Sequence, residues 1–128
     1  MNRKKILITG SAGFIGSNLV LELLKTQFQL TIIGIDNMNN YYDVSIKEWR
    51  LAEIQKCAEQ HLDSTWKFIK GNIADKELID SIFKDYKPDI VVNLAAQAGV
   101  RYSIINPDVY IESNLIGFYN ILEACRHS

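Results

Sequence analysis

The run Ile6-Leu7-Ile8-Thr9-Gly10-Ser11-Ala12-Gly13-Phe14-Ile15-Gly16 decides how this chain folds. Ile6 to Ile8 is a short, β-rich apolar stretch, the pattern of a strand buried on both faces. Glycines follow at positions 10, 13 and 16. Beyond the first two, Ile15, Leu19 and Leu23 recur four apart with Val20 and Leu24 beside them, which predicts a helix packed on a sheet. In such a strand–turn–helix, Gly10 permits the tight turn, Gly13 lets a pyrophosphate approach the backbone, and Gly16 lets the helix lie close to the sheet. The helix start then offers N–H groups and a partial positive charge to phosphates. Glycine spacing alone also suits a turn that merely needs positive φ.

The second strand supplies the missing context. Leu30 to Ile35 is β-rich and closes on Asp36, twenty residues past Gly16. An acid there can accept both hydroxyls of an adenosine ribose. A turn or cap aspartate is the plainer alternative. Asp36 would repel a 2′-phosphate, and neither Ser11-Ala12 nor Asn37-Met38-Asn39-Asn40 contains a Lys or Arg to hold one. The expected cofactor is therefore NAD rather than NADP. No Gly-Lys-Ser/Thr occurs, which excludes a kinase-type P-loop. An S-adenosylmethionine methyltransferase would more often carry a G-x-G loop.

Outward from this core the pattern alternates. Ser45 and Glu48 fit a capping box that opens a helix with Val44, Leu51, Ile54, Ala58 and Leu62 as its apolar stripe. Thr65 to Ile69 reads as a third strand. Asp75 can cap a short helix bearing Leu78, Ile79, Ile82 and Phe83, which Lys87-Pro88-Asp89 breaks. Ile90-Val91-Val92 begins a fourth strand. Asn106-Pro107-Asp108 reads as cap, first-turn proline and first-turn acid of a last helix. Its apolar face is expected to be Val109, Ile111, Leu115, Phe118, Leu122 and Cys125. This order predicts an α/β fold, a Rossmann-type doubly wound parallel sheet with helices on both faces, of which four strands make one half.

The 128 residues suit one domain, residues 1–128, and the composition is ordinary for a globular protein, with 48% hydrophobic and 23% charged residues. The net charge is −1, which gives no electrostatic reason for nucleic acid or an anionic membrane as partner. No stretch approaches a membrane span, and the apolar run after Lys4-Lys5 is broken too early for a signal peptide. Cys57 and Cys125 form no C-x-x-C and lack metal-site company, so reduced thiols, a cytoplasmic location and no metal are expected. His61 and His127 have no ligand spacing and read as surface residues.

On these residues the chain resembles the extended short-chain dehydrogenase/reductase family, and within it the nucleotide-sugar epimerases, most of all those acting on UDP-glucuronate. Thr9 to Gly16 matches T-G-x-x-G-F-I-G, and Asp36-Asn37 with Asn40-Tyr41-Tyr42-Asp43 matches D-N-x-x-x-Y-Y-D. Gly71 to Asp75 matches G-D-I-x-D with Asn72 in place of the acid. Asn93 to Arg101 matches H-L-A-A-Q-A-G-V-R with Asn93 in place of His, and Asn114 to Gly117 matches N-x-x-G. The resemblance implies a bound NAD held by Gly10, Ala12, Gly13, Phe14, Ile15, Gly16, Asp36, Asn37, Asn40, Asn72, Ile73, Leu94, Ala95, Ala96, Gln97 and Asn114. It implies a UDP-sugar substrate, a role in polysaccharide biosynthesis, and a homodimer built on the last helix and a partner helix.

Arg101 is a candidate for the cofactor diphosphate or an anionic group of the substrate, with a solvated surface role equally open. Ala95-Ala96 would let the nicotinamide half approach the backbone, and Tyr41 and Tyr42 would wall the site or simply pack. In the family, the chemistry uses a Tyr-x-x-x-Lys pair. No tyrosine here has Lys four residues on, since those positions hold Ser45, Ile46, Ile90, Asn106, Asn114 and Glu123. The chain is thus expected to be the amino-terminal, cofactor-binding part of an epimerase, with no catalytic residue of its own. A non-catalytic NAD-binding module, or part of a related 4,6-dehydratase or decarboxylase, remains open.

Overall fold

Parity along the central strands organises the molecule. The structure, a computed structural model, describes residues 4–27, 29–38, 44–95, 108 and 111–127. Strands β1 (Lys4–Thr9), β2 (Leu30–Asp36), β3 (Thr65–Lys70) and β4 (Ile90–Asn93) form one parallel sheet in the order β3-β2-β1-β4. Side chains alternate across a strand. Leu7, Ile33 and Ile35 therefore face one way, into a core with Ile79, Ile82 and Phe83 of α3 (Lys76–Tyr86) and Ile121 and Ala124 of α4 (Phe118–His127). Ile6, Ile8, Leu30 and Ile32 face the other way. They meet Val20 and Leu24 of α1 (Phe14–Thr26) and Ile54 and Cys57 of α2 (Val44–Gln60).

Helix phases differ from the sequence expectation in three places. In α1 the buried line is Gly16, Val20 and Leu24, one residue later than the expected Ile15-Leu19-Leu23, and Ile15 is exposed. In α2 the helix begins at Val44, so Ser45 is its second residue and not the residue before it, as a capping box requires. Leu62 lies past the end of α2 and is 82% exposed, while the buried residues of α2 are Lys47, Ile54 and Cys57.

The third difference is in the last helix. Leu115, Phe118, Leu122 and Cys125 are exposed, and the buried face of α4 is Asn120, Ile121 and Ala124. The physical reason is a π-helical segment over Ile111–Gly117. A π turn holds more residues than an α turn, so a 3.6-residue stripe does not hold its phase through it. Asn106 and Pro107 lie outside the described residues.

Other local readings match the structure. Asp75 caps α3, accepting from the Leu78 amide at 3.2 Å. Lys87 ends it in the left-handed conformation, with its N–H donating to Phe83 O. The chain then re-enters the sheet through a two-bond staple, Asp89 N to Lys5 O at 2.8 Å and Lys5 N to Asp89 Oδ2 at 2.9 Å.

Candidate dinucleotide site at the strand switch

The chain runs from β1 outward to β2 and β3, then returns to the other side of β1 as β4. Ligands of open α/β sheets bind where strand order reverses, outside the carboxyl ends of the strands. Here that point lies between the exits of β1 and β4. Gly10 sits at this junction with φ +70, and a Cβ on it would lie 2.9 Å from the Leu94 carbonyl and the Ala95 amide. Thr9 fixes the same junction from below. Its hydroxyl donates to Asn93 Oδ1 and accepts from the Leu94 and Ala95 amides at 2.9 and 3.0 Å. Asn93, which stands where the resembled family has His, thus latches β4 to β1.

The glycine turn is anchored chiefly by its own backbone. The Gly10 and Ser11 amides donate to Ile35 O at 2.8 and 3.3 Å, and the Gly13 amide to Gly10 O at 3.0 Å. The first helical bond of α1 runs from Ser17 N to Gly13 O, so the amides of Phe14, Ile15 and Gly16 lie outside the helical ladder. Gly13 supplies no side-chain cap, and no acid occupies the first turn of α1. Phe14 and Ile15 are exposed. Their amides form an electropositive mouth with no acid of the first turn of α1 to neutralise it. Gly16 contributes by absence: a Cβ there would lie 2.2 Å from Gly10 O.

Asp36 ends β2 beside this turn, with its side chain only 4% exposed. Its Oδ2 accepts from the Ala12 amide at 3.1 Å, and its Oδ1 from the Met38 amide at 2.8 Å and from Lys47 Nζ at 3.0 Å. A carboxylate has about four acceptor positions. Among the described residues three are filled, which leaves a position on Oδ2 for a ribose hydroxyl. Lys47 reaches Asp36 from α2, and Arg50, one turn on, donates to Ala12 O at 3.2 Å and lies 5.9 Å from the Phe14 ring centroid. The absence of Lys and Arg near position 36 in the sequence is thus corrected in space: two cations from α2 border the turn. A lysine in an otherwise apolar stripe gives little sequence signal beyond its phase with Ile54 and Cys57.

The sequence profile of the family described as GDP-mannose 4,6 dehydratase matches residues 7–128. The chain belongs to this family. It is an extended short-chain dehydrogenase/reductase of the nucleotide-sugar epimerase and dehydratase group. Protein CapI of Staphylococcus aureus is 50% identical over 123 residues, covering 96% of this chain and 34% of that protein. UDP-glucuronate 4-epimerase of Thermodesulfobacterium geofontis is 42% identical over 120 residues, covering 94% of this chain and 35% of the enzyme. Among solved structures, the Thermus thermophilus UDP-glucose 4-epimerase complex with NAD superposes with a TM-score of 0.71 at 32% identity, covering 96% of this chain and 34% of that one. The chain thus spans about a third of the length of the relatives it matches.

Within this family member the remaining candidates separate. Asn37 is half-buried beside Asp36. Asn72 is half-buried, its Oδ1 accepting from the Ala74 amide at 2.9 Å. Ile73 is 4% exposed and its side chain is part of the core, so only its backbone is available to a ligand. Its carbonyl accepts from Asn120 Nδ2 at 3.0 Å, a support that the sequence reading missed. Asn114 is exposed on the π-helical segment. Leu94 and Ala95 are half-buried at the junction with Gly10. Asn40, Tyr41, Tyr42, Ala96, Gln97 and Arg101 lie outside the described residues. His61 is half-buried and bonds Cys57 O through Nδ1 at 2.8 Å. Neither cysteine forms a disulfide, and among the described residues no His, Cys, Asp and Glu group is placed to hold a metal. No helix among them is long and apolar enough to cross a membrane.

Proposed function

We propose that this chain is the NAD-binding portion of a nucleotide-sugar 4-epimerase of the UDP-glucuronate/UDP-galacturonate type. The observation that carries the reading is the glycine turn clamped to Asp36 at the strand switch, with no acid in the first turn of α1. The Phe14 and Ile15 amides suit a diphosphate, and the open acceptor on Asp36 Oδ2 suits a ribose hydroxyl. Gly10 and Gly13 keep the turn low enough for close approach. In the whole enzyme the nicotinamide would supply uptake of hydride from sugar C4 and its return to the opposite face. This chain's residues would bind and orient. None of them stands in the Tyr-x-x-x-Lys pattern of the resembled catalytic pair.

The UDP-glucuronate 4-epimerase relatives, at 42% and 40% identity, favour an epimerase of uronate sugars over the dehydratase named by the family profile. We infer too that the whole protein is a cytoplasmic homodimer serving polysaccharide synthesis, for which the exposed apolar residues of α4 would offer a surface. Calorimetric titration with NAD tests the cofactor reading, with saturable one-to-one binding expected. Absence of heat and of any thermal stabilisation by NAD would sink it. A decarboxylase or 4,6-dehydratase reading would gain if the whole protein, given UDP-glucuronate, released a different sugar by NMR.

A further inference from the structure

Lys47 is the part of this site that dinucleotide binding does not explain. Its ammonium lies on the buried stripe of α2, where the same phase otherwise presents Ile54 and Cys57, and its side chain is only 10% exposed. Burying a lone ammonium is costly, so such a group needs a counter-charge. Among the described residues Lys47 has one, Asp36, at 3.0 Å. An ammonium has three donors, so two are left without a protein acceptor there. Arg50, one turn along, adds a second cation on the Ala12 side of the same turn.

We propose that Lys47 and Asp36 form the charge pair that sets discrimination between an adenosine ribose with a free 2′-hydroxyl and one with a 2′-phosphate. The inference rests on the dinucleotide reading above and deepens it. With Asp36 in place, Lys47 is neutralised and the carboxylate's remaining acceptor takes a hydroxyl. A 2′-phosphate there meets a second anion, and the ammonium beside it already holds a carboxylate. Without the Asp36 carboxylate, the ammonium is left buried with no counter-ion among the described residues. A phosphate supplies that charge and three acceptor oxygens to match three N–H donors. Exclusion of the phosphorylated cofactor thus depends on one side chain, and its reversal needs no new cation.

The test is the ratio of NAD to NADP dissociation constants, measured by calorimetry on the purified protein and its Asp36→Ser, Lys47→Gln and doubly substituted variants. The unmodified protein is expected to favour NAD. Asp36→Ser is expected to favour NADP by about tenfold or more, with NADP binding weakened by salt more steeply than NAD binding. The double variant is expected to lose the preference. An Asp36→Ser variant that still favours NAD, or a double variant that keeps a preference for NADP, overturns the proposal. Should Asp36→Ser fail to fold, Lys47→Gln alone decides. Loss of the cation is expected to widen the preference for NAD by about threefold or more. Equal weakening of both cofactors marks a purely structural lysine and overturns the proposal. Failure of the unmodified protein to bind either dinucleotide overturns the dinucleotide reading and this inference with it.

Discussion

Gly10, Gly13 and Gly16 belong to one motif but answer to different constraints. Gly16 is fixed by packing, since a methyl group there would lie 2.2 Å from Gly10 O, a backbone atom that cannot move aside. At Gly13 an added Cβ would meet, among the described residues, Gly10 O alone, at 3.2 Å, a contact that a shift of a few tenths of an ångström relieves. Gly16→Ala is therefore expected to lower stability by about 1–3 kcal/mol, the usual range for overpacking. That is a drop of several degrees in melting temperature for a domain of this size. Gly13→Ala is expected to change the melting temperature little while weakening NAD by about tenfold through loss of close approach. Thermal melts beside calorimetry separate the two, and equal destabilisation by both would refute the division of roles. This motif was legible in the sequence because strand, turn and helix are local. Asp36 was legible for the same reason. Its pairing with Lys47 was not, because that depends on α2 folding back over the turn.

At the scale of elements, α4 does for the third loop what Thr9 does for the first. Asn120 Nδ2 bonds Ile73 O across 47 residues of sequence and pins the β3–α3 loop from below. Asn120 is itself buried, so Asn120→Ala leaves a buried carbonyl unpaired and is expected to cost about 1–3 kcal/mol. A chemical denaturation series would measure this, and no change in midpoint would contradict it. The sequence directed attention to Asn114, through its match to the family's N-x-x-G, while the expected helical stripe ran straight through a segment that is π-helical. Both faces of α4 carry apolar residues, so periodicity alone does not choose between them. The end of α4 also yields a pH expectation. Glu123 is held below the usual carboxylate range by a hydrogen bond from Arg126, then by the charges of Arg126 and His127. A depressed acid contributes stability above its unfolded value and loses it as pH falls through the folded value. The unmodified protein should therefore melt above Glu123→Gln near neutral pH, and the gap should close as the pH falls below the ordinary carboxylate range. A gap that persists in acid would assign the effect to packing.

The whole molecule is a sheet with one well-covered centre and two uneven edges. β1 and β2 lie inside, while β4 stands at the edge of the described sheet with Ile90 exposed and Val91 and Val92 half-buried. Nothing in this chain matches the Tyr-x-x-x-Lys pattern, so the 128 residues alone are expected to leave UDP-glucuronate unchanged by NMR when NAD is present, and turnover above the blank would place the chemistry elsewhere. The surface leads to a further expectation. Leu115, Ile116, Phe118, Tyr119 and Leu122 are all more than 45% exposed and lie within eight consecutive residues. Isolated exposed apolar residues are ordinary, but a contiguous patch marks an association surface. Covering several half-exposed side chains of this size is worth about 1 kcal/mol or more each, which favours association of two copies. The chain is therefore expected to self-associate with rising concentration in sedimentation experiments. Leu122→Glu, which places a charge in the middle of the patch and touches no residue of the glycine turn, should weaken that association by about tenfold or more, at about 1.4 kcal/mol per decade. NAD affinity should stay within about twofold in the same variant if the helix surface and the cofactor turn are separate. A chain that stays monomeric over the whole range, or a Leu122→Glu variant that associates as before, would show that this face of α4 is not where copies meet.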